Sequence, residues 1–351
     1  MIKRLFISLL CISLPVADIV NTTSAYTDKQ YAAKLNGNII SDTLNLTSFD
    51  NNYSNTSDSI VAFNTKSITM NYDSTEQDYD TQMKQDLLVL MIAYPEYITG
   101  IEKDNSGNVY IVMKSGKKFI YDDKKDKSPE NKIDNPDLQD ILEDRYPLDK
   151  DNKVPPKSFD PGRCRNYEFL NEVYGGSKAA IEKNLVSLKY GYPSCQFNSH
   201  NNANVCLEAA LKEIIPLTKT HGAISNLLYP GCGTYNYRVI AGTGKLSPHS
   251  YGIALDLNTD KRDYWKWGSE AAAESRLKEY PDELVTAFEN NNFIWGGKWG
   301  HFDIMHFEYR PEIILKAKYF SNWNKDNNWY SGVPEDDEKI KEYINTIENS
   351  I

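Results

Sequence analysis

An aspartate stands inside a run that otherwise reads as a buried strand. In "GIALDL", Ile253, Leu255 and Leu257 fall on one face, and Ala254 and Asp256 on the other. A carboxylate so placed is costly unless it is paired or bound to a metal. The fold must therefore bring Asp256 a partner. The run "MHFEY" offers one: Met305, Phe307 and Tyr309 share one face, His306 and Glu308 the other. Two adjacent strands would aim Asp256 and His306 at one spot, with His249 reaching in from the loop before. Asp303 precedes His306 by three residues, too close for a regular strand to point both the same way. A bend or bulge at "FDIM" is therefore expected.

A catalytic zinc takes three protein ligands and keeps a fourth position for water, and histidine nitrogen and carboxylate oxygen both suit it. His249, Asp256 and His306 make such a set. Asp303 is then the candidate base, because a carboxylate can take the proton of a water whose pKa a metal brings towards ~7. Each residue alone has a plainer reading: a turn histidine, a salt-bridged aspartate, a hydrogen-bonded core histidine. The four together favour the metal. A structural zinc site is the weaker alternative, since such sites are usually closed by four ligands.

Ser247, His249, Gly252, Ala254 and Asp256 form the pattern S-x-H-x-x-G-x-A-x-D, followed by D-x-x-H-F-E at Asp303, His306, Phe307 and Glu308. The pair resembles the motifs of the zinc peptidases of bacterial cell walls. These are the VanY-like D-alanyl-D-alanine carboxypeptidase and L-alanyl-D-glutamate endopeptidase family, related in fold to the hedgehog signalling domain. The likeness covers residues 160–312, including the lead-in "DPGRCRNYEFLNEVYG", with a looser match back towards Thr81. It implies a hedgehog/DD-peptidase-like fold, one zinc ion per chain on His249, Asp256 and His306, and Asp303 as general base. It also implies that Arg238 stabilises a developing oxyanion or grips a substrate carboxylate. A fixed guanidinium suits either task through paired hydrogen bonds; the alternative is a surface arginine on an edge strand. Ser247, Tyr251, Trp295 and Glu308 are the candidate substrate contacts. Other readings stay open: Ser247 caps the "SPHS" turn, Trp295 belongs to a sheet-end aromatic cluster with Trp299, and Glu308 orients a ligating histidine or is a plain sheet residue.

Residues 1–25 have the form of an export signal: Lys3 and Arg4, the apolar "LFISLLCISLPV", and "TSA" ending at Ala25. That run is too short for a good membrane span, and a transmembrane segment is not expected in the mature chain. Residues 26–80, rich in Asn, Ser, Thr and Asp, read as a low-complexity arm or linker. Residues 81–150 read as a small unit. A helix stopped by Pro95 leads to a three-stranded meander with turns at "DNSG" and "KSGK", then to a helix opened by Asn135 and Pro136. The proline-rich "PLDKDNKVPPKSFDPG" marks the boundary. Residues 160–330 read as the catalytic domain. Its helices end on Gly175, Gly191 and Gly222, followed by strands at 235–241 and 252–258, a helical pair over 269–292, and strands in "FIWGG" and "MHFEY". Residues 331–351 form a C-terminal tail helix. Helices segregated from strands make the fold class α+β, an antiparallel sheet packed against helices.

A formal net charge of −10 without a basic patch argues against a nucleic-acid partner. In an exported chain, Cys164, Cys195, Cys206 and Cys232 imply two disulfides, with three pairings open; Cys11 falls within the signal. The resemblance therefore implies an exported zinc metallopeptidase of the periplasm, cell wall or extracellular space. Its substrate would be the peptidoglycan stem peptide, with L-Ala-D-Glu endopeptidase activity placed ahead of D-Ala-D-Ala carboxypeptidase activity. The rival is a wall-binding module without turnover, which would have no need of Asp303.

Overall fold

Helix α1 (Tyr79–Ala93) is apolar all round from Leu87 onward and is buried accordingly: Leu87, Leu88, Val89 and Leu90 expose no surface. The computed structural model describes residues 78–231 and 233–351; the expected signal, nearly all of the arm, and Cys232 lie outside them. A meander follows α1, with β1 (Ile98–Lys103), β2 (Val109–Met113) and β3 (Lys118–Ile120) antiparallel in that order. Gly107 and Gly116 close its turns at φ +83° and +86°, where a side chain would be strained. Helices α2 (Pro129–Asp134) and α3 (Leu138–Leu142) come next. The cap of α3 is Asp137, not the expected Asn135. Asp137 accepts the Asp140 amide at 2.9 Å, and Asp140 accepts the Asp137 amide at 3.0 Å.

The chain continues through α4 (Tyr167–Tyr174), α5 (Lys178–Asn184), the antiparallel pair β4 (Leu185–Ser187) and β5 (Gln196–Asn198), then α6 (Ala203–Leu217) and α7 (Gly222–Leu228). The helix expected to end on Gly191 stops at Asn184, because Leu185, Val186 and Ser187 pair with β5 instead. Residues 235–241 are not the expected strand. Backbone pairing near them is confined to isolated bridges, Gly233 to Asp256 and Val239 to Leu246, and Val239 is 52% exposed with no sheet beside it.

Three short strands carry the candidate site: β6 (Ala254–Asp256), β7 (Phe293–Trp295) and β8 (His306–Tyr309), antiparallel in the order β6-β8-β7. Helices α8 (Glu270–Leu277) and α9 (Asp282–Asn290) connect β6 to β7, and α10 (Pro311–Phe320) and α11 (Glu338–Ser350) end the chain. The register places Leu255 and Trp295 opposite Phe307 on one face of the sheet. That face packs on α9, with Phe288 and Phe307 ring centres 4.2 Å apart. Asp256 opposite His306, and Ala254 opposite Glu308, form the other face. The result is a mixed α+β architecture with small antiparallel sheets.

Helix α1 packs against α10 and α11, and one continuous apolar core runs from Met83 to Ile347. Asp86 crosses this seam to Lys316 Nζ at 2.6 Å and accepts the Tyr121 hydroxyl at 2.9 Å. Burial pushes the Asp86 carboxyl up; Lys316 opposes it. Among the described residues there is no disulfide. Cys164 is a free thiol whose Sγ–H donates to the Lys132 carbonyl at 3.0 Å, and burial pushes its pKa up to about 12. The expected framework of two bridges using all four cysteines is corrected on that ground.

Breaking a buried ion pair from one side leaves an uncompensated charge. Lys316→Met is therefore expected to lower stability by about 3–5 kcal/mol in urea unfolding, and adding Asp86→Asn should recover much of the loss.

Candidate metal centre

The first motif builds a tight corner. Pro248–Tyr251 is one turn of 3-10 helix, capped by Ser247 Oγ, which accepts the His249 amide at 3.4 Å. Gly252 leaves the turn at φ +68°, and a Cβ there would stand 2.6 Å from Leu185 Cδ2. The serine and glycine of the motif thus hold His249 against β6.

Three side chains converge there. His249 Nε2 lies 3.1 Å from Asp256 Oδ1, and His306 Nδ1 lies 3.0 Å from the same oxygen. The outer nitrogens are taken. His249 Nδ1 stands 2.8 Å from the Thr234 carbonyl, and His306 Nε2 stands 3.4 Å from Glu308 Oε2. Both partners only accept, as does the Asp256 oxygen on the inner side, so a metal ion on the inner nitrogens would leave the ring protons on the outer ones. The inner nitrogens then turn lone pairs towards a carboxylate oxygen, an arrangement that calls for a cation. Zinc bonds of ~2.0–2.1 Å in a tetrahedron put neighbouring ligand atoms ~3.3 Å apart, within a few tenths of the spacing found. The donor set of two nitrogens and one oxygen fits zinc.

With protons in place of a metal, the same crowding shows as shifted acidities. Burial disfavours the Asp256 charge, yet the two imidazoles hold its carboxyl far below the ordinary range. Burial also opposes the His306 charge, but Asp256 and Glu308 lift that ring to about 10. Glu308 is fully buried, and Arg165 keeps it ionised against the burial cost. A second acidic group, Asp122, Asp123 and Asp137, is of another kind. The Lys127 ammonium sits within 3.0 Å of Asp123 and 2.8 Å of Asp137 and already supplies its cation.

The expected bend is present. The His306 amide donates to the Asp303 carbonyl at 3.0 Å, closing a turn through Ile304 and Met305. Asp303 is further fixed by its amide to the Gly296 carbonyl at 2.9 Å and by a bridge to Tyr264. Its Oδ1 is buried and accepts no hydrogen bond. Burial pushes its carboxyl up to about 6, against the pull of His306 and with the push of Asp256.

Arg238 lines an open pocket of about 430 Å³ together with Ser194, Gln196, Asn236, His249 and Asp256. Its backbone is held by Ser250, whose hydroxyl accepts the Arg238 amide and donates to the Arg238 carbonyl, each at 2.8 Å. The guanidinium is exposed and makes no ion pair among the described residues.

The model of the D-alanyl-D-alanine carboxypeptidase family matches residues 241–309. That span contains His249, Asp256, Asp303 and His306, and it supports a metallopeptidase of this family. No curated protein and no solved structure matches the chain.

The four candidate substrate contacts do not face the pocket. Trp295 exposes no surface, stands opposite Phe307 on the far side of the sheet from His306, and donates its indole N–H to the Ile304 carbonyl at 2.7 Å. Tyr251 is buried with its hydroxyl on Asn171 at 2.8 Å. Ser247 caps the turn, and Glu308 is enclosed. These placements correct the expectation: motif neighbours here support the metal set and do not line the cleft. Two residues escaped the sequence reading. Arg165 grips Glu308 across 143 residues of chain, which no local pattern announces. Thr234 enters through its backbone carbonyl, which any residue would supply.

Elemental analysis is expected to find about one zinc per chain. His249→Ala and His306→Ala should each bring it close to zero; full occupancy in both would overturn the ligand assignment.

Proposed function

We propose that the protein is an exported zinc peptidase of the hedgehog/DD-peptidase fold that cleaves peptidoglycan stem peptides. The observation that carries this reading is the meeting of three potential ligand atoms, from His249, Asp256 and His306, all within 4.8 Å of one another, with the buried, unbonded Asp303 Oδ1 and the unpaired Arg238 in the same segment of the fold. Zinc held by those three residues would supply Lewis-acid polarisation of the scissile carbonyl and an acidified water. Asp303 accepts the water's proton and passes it to the leaving amine; no protein donor competes for its Oδ1. Arg238 presents a guanidinium fork to an anion at the rim.

Stem-peptide chemistry sharpens the role of Arg238. Cleaving D-Ala-D-Ala releases a residue bearing the terminal carboxylate. Cleaving L-Ala-D-Glu does much the same, because D-Glu continues the chain through its side chain and keeps its α-carboxylate free. A fixed guanidinium beside the metal set suits the residue after the cut in either case. The family match supports the D-Ala-D-Ala bond as the first reading. The "DIMHFE" form supports the L-Ala-D-Glu bond as the second. Export rests on the signal-like residues 1–25. Among the described residues no helix is long and apolar enough to cross a membrane.

Mass spectrometry of muropeptides after digestion names the bond. Loss of a single D-Ala from pentapeptides is expected, and release of peptides beginning at D-Glu would select the second reading. Chelation should stop either reaction; a chelator-resistant activity, or none with zinc bound, would sink the proposal.

Asp303→Asn should keep zinc and lose turnover by ~100- to 10,000-fold, since an amide cannot take the proton. Asp256→Asn should instead weaken metal binding first, with activity partly recovered in excess zinc. Gly296→Ala is expected to resemble Asp303→Asn, because the new Cβ would stand 2.4 Å from the Asp303 carbonyl oxygen and displace that residue.

The pH profile follows the sign of the Asp303 shift. The working form is the ionised carboxylate, so activity falls as pH drops through its pKa of about 6. A bound cation pulls that limb lower, never higher. A rate that rises below pH 6 would remove Asp303 from the role of base.

A further inference from the structure

Glu308 is a fully buried carboxylate one pleat from a ligand histidine, and what holds it lies far away in the chain. Arg165, just before α4, donates Nε to Glu308 Oε1 at 2.8 Å and Nη2 to Glu308 Oε2. This is the two-pronged match that a guanidinium makes and an ammonium cannot. Arg165 is itself buried, braced by its Nη1 on the Arg163 carbonyl at 2.8 Å. The Trp299 ring covers both Arg165 and His306, with centroid distances of 5.9 and 5.8 Å. Arg310 also stands near, 3.6 Å from Glu308, but its fork is spent on Glu312 and on the Gly162 and Cys164 carbonyls. Glu308 Oε2 in turn faces His306 Nε2.

An imidazole presents a given nitrogen only if its ring orientation and tautomer are fixed, and the acceptor on its other nitrogen does the fixing. For His306 that acceptor is Glu308. A glutamate has three rotatable bonds, so it fixes nothing unless it is itself fixed. We propose that Arg165 is a positioning residue for the metal: by clamping Glu308 through paired hydrogen bonds, it orients His306 so that Nδ1 faces the ion. The inference rests on His306 being a ligand, as the proposed function holds. Arg165 lies outside residues 241–309, so the matched segment depends here on a side chain it does not contain.

The test reads metal binding, not turnover. Zinc affinity is measured by competition with a chromophoric chelator, and the cobalt-substituted protein is followed by its visible spectrum. Arg165→Met alone strands a buried charge and risks unfolding, so the informative variant is the double Arg165→Met, Glu308→Gln, which is neutral and similar in shape. Circular dichroism checks that it folds. The clamp predicts that this folded double variant binds zinc ~10- to 100-fold more weakly with altered cobalt bands. Arg165→Lys, which keeps the charge and loses the fork, should fall between it and the wild type. Wild-type affinity and an unchanged cobalt spectrum in the folded double variant would overturn the proposal, since the pair would then merely neutralise itself. A wild-type protein that binds no zinc overturns both this inference and the peptidase reading. One that binds zinc but leaves muropeptides intact removes only the peptidase reading.

Discussion

Asp256 and His306 are direct partners across an antiparallel pair, in strands of three and four residues. Neither an aspartate nor an imidazole belongs in such a place alone, because burial without a partner costs several kcal/mol. Much of what surrounds them serves to make the placement tolerable. The Thr234 carbonyl and the Glu308 carboxylate occupy the outward nitrogens, so the inward ones can only meet a proton or a metal ion. Ala254, opposite Glu308, leaves room on that face for the carboxylate. The aromatic face of the same sheet, built on Phe307, Trp295 and Phe288, holds the strands in register from the other side.

Charge is organised over a longer reach than the site itself. The Tyr94 hydroxyl, just past the end of α1, donates to Glu312 at 2.7 Å, and Glu312 pairs with Arg310 at 2.6 Å. Arg310 stands beside Glu308, and Glu308 beside His306. A row of alternating charges thus runs through the interior from the N-terminal helix to the candidate metal ligands. Networks of this kind are rigid when every member is satisfied and expensive when one is not. This links the end of the N-terminal helix physically to the site, although the helix contributes no side chain to it.

Much of the candidate site was legible because strand periodicity is simple. Alternation alone put Asp256 and His306 on matching faces, and the three-residue spacing alone demanded the bend that brings Asp303 round. The meander was equally plain from its turns. What failed did so for identifiable reasons. Residues 235–241 have β-prone composition, but composition does not supply a neighbouring strand. Leu185 and Val186 fall inside a run of helical pattern that extends to Gly191, but β5 pairs with them, and local pattern does not announce that partner. Trp295 and Tyr251 sit in motif-rich segments, but nearness in sequence to a candidate ligand is not nearness to the pocket; the sheet has two faces, and one residue's step changes which is meant. Arg165 was invisible because its partner is contributed from the far end of the domain.

The loop that carries Arg238 is tied down from Gly233 to Arg238, with the Thr234 carbonyl on His249 Nδ1 and the Asn236 amide on the His249 carbonyl. Gly233 exchanges backbone hydrogen bonds with Asp256 at one end, and Ser247 and Ser250 hold the Arg238 backbone at the other. Between Val239 and Leu246 the chain makes a small exposed excursion that closes on itself through Ile240 and Lys245. That excursion is therefore mechanically separate from the candidate metal ligands, whereas the stretch from Gly233 to Arg238 is bonded to His249 and Asp256. The rim can lengthen, shorten or change its side chains while the corner at Ser247 and the ladder at Asp256 stay fixed. A scaffold divided in this way can change what its rim presents by exchanging one surface excursion, with the candidate metal centre left untouched.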